Sequence, residues 1–150
     1  MNDAAADTRA TARRRWLRRG VLAFVLVAVY PAFVLGTVFA TVIPSDLPGG
    51  ENGPKDAYRH TLASATVAYT GSPRWVEWVT RIMEHGDGGN AANAMDRHNN
   101  RIGERIGAEA TSWAQMRANV YAAVQAGGID VDDDNRITWL PPDTWRERLY

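Results

Sequence analysis

Gly20 to Ile43 is a run of twenty-four residues without a charge, GVLAFVLVAVYPAFVLGTVFATVI. Nothing else constrains this chain as strongly. At about 1.5 Å per residue, a helix of that length exceeds the roughly 30 Å hydrocarbon core of a bilayer. Pro31 interrupts the run and predicts a kink, which spanning helices tolerate better than soluble ones. Arg9, Arg13, Arg14, Arg15, Arg18 and Arg19 precede it with only Asp3 and Asp7 in opposition, and Pro44-Ser45-Asp46 follows. The positive-inside tendency then keeps the N-terminus cytoplasmic and sends the remainder outside. The expected organisation is a basic cytoplasmic segment over 1–19 and a transmembrane anchor over 20–43. A linker over 44–53 and an exported helical domain over 54–150 follow. A cleaved signal peptide competes with the anchor, because Val38-Phe39-Ala40 has the small-residue pattern that a signal peptidase accepts. Both readings place the domain in the periplasm or outside the cell.

The net charge of zero hides an asymmetry. Residues 44–150 carry eleven Lys or Arg against fifteen Asp or Glu, an acidic balance that argues against nucleic acid as a partner. The absence of Cys excludes disulfides, thiolate zinc sites and cysteine nucleophiles.

Beyond the anchor the pattern is mainly α: a small four-helix domain closed by a short C-terminal β-hairpin. Residues 44–54, PSDLPGGENGP, read as linker. Pro54 suits the first turn of a helix to about Tyr69. Ser72 and Pro73 open a second helix to about His85, with Trp75, Trp78, Val79 and Ile82 on its apolar face. Asn90 caps a third, which ends near Gly107. Ser112, spaced from Gln115 as in a capping box, starts a fourth that stops at Gly127-Gly128. In the tail, residues 129–131 and 136–140 alternate around Asp132-Asp133-Asp134-Asn135 as a hairpin does. The spacing of Asp130, Asp132 and Asp134 also matches the first half of a calcium loop, but Pro141 stands where a bidentate Glu is needed. An acidic turn is the simpler reading.

Two polar clusters interrupt helices that should be buried: Asp56-Ala57-Tyr58-Arg59-His60, and six successive polar residues from Asp96 to Arg101. Residues four apart share a helix face, so Asp56 and His60 point one way. Asp96, Asn99, Asn100, Gly103 and Gly107 form a stripe on the third helix. Small residues at 63, 64, 103 and 107 let the two backbones approach, which brings Asp56, His60, Asp96 and Asn100 together with Arg59 and His98 at the rim. Two carboxylates and an imidazole suit a divalent zinc, iron or manganese ion, which acidifies a bound water for hydrolysis. Without a metal, His60 can act as a general base oriented by an Asp, with Asn and Arg donors stabilising negative charge. The alternative is a buried hydrogen-bond network in a non-catalytic binding or structural module of the envelope.

The two motifs, D-A-Y-R-H at 56–60 and M-D-R-H-N-N-R-I-G at 95–103, resemble a poorly characterised bacterial family of small helical domains. That family occurs as short envelope proteins and as C-terminal modules of wall-associated or toxin-like proteins. The resemblance covers about residues 53–140. It implies that Asp56, Arg59, His60, Asp96, His98, Asn99 and Asn100 form one constellation, and it names no substrate. An apolar or Trp position that the family shows after the first His has no aromatic counterpart in Thr61-Leu62-Ala63-Ser64.

Overall fold

A computed structural model describes residues 3–71 and 90–147. The helix expected over 73–85 lies outside the described residues. The chain divides into two compact units, Met1–Phe33 and Val34–Tyr150. The described residues are mainly helical, with five α-helices and one two-stranded sheet. The helices are α1 (Asp3–Phe24), α2 (Tyr30–Val42), α3 (Pro54–Thr70), α4 (Asn90–Glu109) and α5 (Trp113–Gln125), and the strands are β1 (Gly128–Ile129) and β2 (Thr138–Trp139).

The apolar run is divided among three elements. It takes in the end of α1, a π-helical turn over Val25–Val29 and all of α2. The π-turn sits just before Pro31, whose missing N–H and bulky ring forbid an ordinary turn there. The Tyr30 N–H instead bonds the Val25 carbonyl. Among the described residues, no helix is long and apolar enough to cross a membrane. Moreover, Val34, Val38 and Val42 are at most 1% exposed and repeat at the helical spacing of one face. The second half of the run therefore serves the core of the larger unit. A cleavage after Ala40 would remove two of those three valines.

In that unit α3 is the central helix. Twelve of its seventeen residues are buried, and Ala, Ser and Thr supply seven of those twelve, so neighbours approach closely on several sides. It packs against both α4 and α5. On α5, Met116, Val120 and Val124 form the buried stripe. The Tyr58 and Tyr121 rings meet edge to face at 5.6 Å between centroids. Ser112 caps α5 as its spacing predicts, accepting from the Gln115 N–H at 3.2 Å, while Gln115 Oε1 accepts from the Thr111 N–H at 2.8 Å.

The α3–α4 contact is set by glycine. A Cβ at Gly103 would lie 2.3 Å from the Thr61 carbonyl oxygen, and one at Gly107 would lie 2.2 Å from that of Ala65. Both are far inside van der Waals contact. The small partners on α3 are thus Thr61, Ser64 and Ala65: Ser64 is one of the two expected, while Thr61 and Ala65 stand in place of Ala63.

Two expectations need correction. The segment over 44–53 ends as a pinned loop. Glu51 pairs with Arg146 through two backbone hydrogen bonds, and the Asn52 carbonyl accepts from the Leu140 N–H at 3.0 Å. Gly49, at φ +72°, lies so close to Gly53 and the Trp145 ring that a Cβ would come within 2.9 Å of each. The tail is not a hairpin, because β1 and β2 pair in parallel, Gly128 beside Thr138 and Ile129 beside Trp139. Asp130, at φ +47°, turns the chain away at the end of β1. The Asp-rich loop crosses back, fixed by Arg105 on Asn135 Oδ1 (2.9 Å) and on the Asp134 carbonyl (2.7 Å).

Replacing Gly107 with Ala should lower unfolding free energy by about 1–3 kcal/mol or more, because backbone must move to admit the methyl. Urea melts of the two proteins measure it, and an unchanged midpoint would contradict the close approach.

Candidate functional site

Asp56 is the third residue of α3, and that position gives its two oxygens different work. Gly53 caps the helix and Pro54 fills the first turn. Oδ2 accepts from the Asn52 N–H at 2.7 Å, holding an N–H at the helix entrance much as a capping box does. Asn52 itself sits at φ +63°. Oδ1 faces the other way, along the stripe, and meets Arg59 and His60.

The geometry centres on Nε2 of His60. This atom lies 3.5 Å from Asp56 Oδ1 and 3.4 Å from Asp96 Oδ1. The Arg59 guanidinium pairs with Asp56 Oδ1, and its Nη2 stands 3.1 Å from His60 Nε2. Both carboxylate oxygens are out of reach of solvent, while the His60, Arg59 and Asp96 side chains are 17–19% exposed. The cluster is therefore a shallow site with a buried floor. Its floor is Asp56, 3% exposed.

Two features bear on the chemistry. Separations of 3.4 and 3.5 Å exceed the ordinary N–H···O range of about 2.7–3.2 Å. Metal bonds of about 2.0–2.2 Å instead put tetrahedrally arranged ligand atoms roughly 3.3 Å apart. Second, Arg only donates. At 3.1 Å from Nε2 its guanidinium therefore competes with the two carboxylates for that nitrogen, and it bonds there only in the tautomer that carries the proton on Nδ1.

One ligand atom from each of Asp56, His60 and Asp96 falls within 4.8 Å of the others, and no other trio of potential ligands does so among the described residues. The acidic loop does not. There Asp133 Oδ1 accepts from the Asn135 N–H at 2.9 Å, as in an Asx turn.

The remaining expected site residues are placed elsewhere. Asn100 accepts from the Ser64 hydroxyl at 2.8 Å and ties α4 to α3. Asn99 is wholly buried. Its carboxamide donates to the Thr138 carbonyl at 2.8 Å and accepts from the Thr138 N–H at 3.0 Å, so it borders β2 like an extra strand. His98 Nε2 donates to the Arg136 carbonyl at 2.8 Å. The seven residues divide into a cluster (Asp56, Arg59, His60 and Asp96) and three braces. Among the described residues, Asn52 joins the site unforeseen, through its backbone, and Gly53-Pro54 just after it is the available signal.

Family membership follows from the match of residues 30–127 to a domain of unknown function, DUF6973. The chain belongs to that family. The match begins at Tyr30, inside the apolar run, so the domain starts earlier than residue 54. This agrees with the burial of Val34, Val38 and Val42. Comparison with curated proteins and with solved structures finds no match.

Burial pushes the Asp56 carboxyl upward. His60 by hydrogen bond and charge, Arg59 by charge and the Asn52 N–H together outweigh it and hold the group below the usual value. The stability so gained is complete above the unfolded pKa of about 3.9 and is lost as pH falls through the lower folded value. Melting temperature should therefore fall below about pH 4, with a shallower fall in Asp56→Asn. Equal acid limbs would contradict the pairing. Asn99→Ala should cost about 2–3 kcal/mol, since two backbone groups of β2 lose their partners, whereas His98→Ala should cost under about 1 kcal/mol. Denaturant titration distinguishes them.

Proposed function

We propose that Asp56, His60 and Asp96 bind a divalent cation and that the domain is a metal-assisted hydrolase of the cell envelope. The observation behind this is His60 Nε2 lying 3.4 and 3.5 Å from two carboxylate oxygens, longer than an ordinary hydrogen bond and close to the spacing between two ligands of one ion. Two carboxylates neutralise a divalent ion, and one imidazole with two oxygens suits zinc, manganese or iron. Three protein ligands leave a coordination position for water, which the ion acidifies into a nucleophile. Partial exposure of His60 and Asp96 gives a substrate access to that position. Asp56, fixed by the Asn52 N–H, orients the set.

Attachment to a membrane is part of the proposal. Val21, Leu22, Phe24, Val29 and Phe33 are 47–65% exposed in the N-terminal unit, and a cluster of Arg precedes them, a composition that seeks a bilayer with anionic head groups. The envelope location and the occurrence of such domains in wall-associated proteins belong to the same proposal. The Arg59–Asp56 pair favours a second reading, in which the cluster neutralises itself and the domain only binds or braces a partner.

The full-length chain, purified without a polyhistidine tag, tests this by metal analysis and by melting with and without EDTA. Near-stoichiometric zinc, manganese or iron and a lower melting temperature in EDTA are expected, with both effects lost in His60→Ala. An identical melt and no bound metal would sink the reading and leave the self-neutralised network.

A further inference from the structure

The metal reading leaves one residue out of place. Arg59 pairs with Asp56 Oδ1, and its Nη2 stands 3.1 Å from His60 Nε2. Those two atoms belong to two of the three ligands. A divalent ion bonded to them would stand within a few ångströms of the guanidinium, and like charges that close in a partly dry site repel strongly.

We infer that Arg59 is the resident cation of this site and sets its metal affinity: the guanidinium occupies the ligand atoms in the metal-free protein, and a divalent ion binds by displacing it. This rests on the metal reading above. Three observations favour displacement over coexistence. Arg59 is a donor only, so its bond to Nε2 uses the lone pair that a metal would take. Its side chain is 19% exposed, so part of it already reaches water. Asp56 is buried at 3% exposure, so this carboxylate needs a counter-charge in either state.

The exchange has a clear balance. Asp56 and Asp96 bring two negative charges to the site, and Arg59 brings one positive charge. Replacing the guanidinium by a divalent ion would balance the two carboxylates and free Arg59 from both ligand atoms. Metal affinity is then the difference between two cations competing for the same oxygens.

Titration calorimetry of the full-length chain with manganese and zinc chloride, in parallel with Arg59→Gln and Arg59→Lys, tests it. Arg59→Gln should bind at least about tenfold more tightly than the parent. Its metal-free melting temperature should fall, because Asp56 loses its counter-charge, and saturating metal should restore it. Arg59→Lys, which keeps the charge but not the planar fork, should fall between them. If the parent binds and Arg59→Gln binds equally or more weakly, this inference is overturned and the metal reading stands. Binding by none of the three proteins would overturn both. Should Arg59→Gln fold only with metal present, refolding in manganese supports displacement, and failure to refold contradicts it.

Discussion

The contact between α3 and α4 at Gly103 and Gly107 is the constraint on which the rest depends. No side chain separates these helices there, since a methyl at either glycine would run into a carbonyl oxygen of α3. Backbones that close bring the next positions along the stripe into register. Moving from Gly107 toward the start of α4, Gly103 meets Thr61 and Ser64, Asn100 bonds Ser64, and Asp96 reaches His60. A bulkier residue at the glycines would hold Asp96 away from His60 and dissolve the cluster without touching any of its members. The site is thus a consequence of packing.

Burying Asp56 requires compensation, and the fold provides it from two directions. The Asn52 N–H serves Oδ2 at the helix entrance, and cationic or polar groups of the same helix serve Oδ1. The entrance itself is held from the far end of the chain, where Leu140 and Arg146 bind the 51–52 backbone, the Thr144 carbonyl accepts from the Asn52 side chain, and Trp145 covers Gly49 and Gly53. The tail thereby stabilises a carboxylate ninety residues earlier in sequence. Buried charge of this kind adds little net stability. Its retention beside an imidazole and a second carboxylate suits a binding role better than a stabilising one.

Local pattern made part of this visible in the sequence. Helical periodicity and caps located α3, α4 and α5 to within a few residues, because Pro54, Ser112 and Gln115 act through their immediate neighbours. The i, i+4 rule put Asp56 beside His60, and the small residues implied a close partner helix. Long-range pairing was not visible. Asn99 and His98 looked like site residues because polarity alone does not say which partner a buried group has found, and both partners lie in the tail. The parallel strand pair was hidden for the same reason, since alternation reports exposure and not strand direction. A uniformly apolar segment carries no mark of where a core begins, and only burial separates Val34, Val38 and Val42 from what precedes them.

The most direct test of the account is anomalous diffraction from crystals grown with manganese or zinc, recorded at the metal's absorption edge. The account predicts a peak about 2.0–2.3 Å from His60 Nε2 and from one oxygen each of Asp56 and Asp96, with the Arg59 guanidinium withdrawn. A metal seated only on the acidic loop near Asp130–Asp134, or no peak with Arg59 still bonded to Nε2, would contradict it.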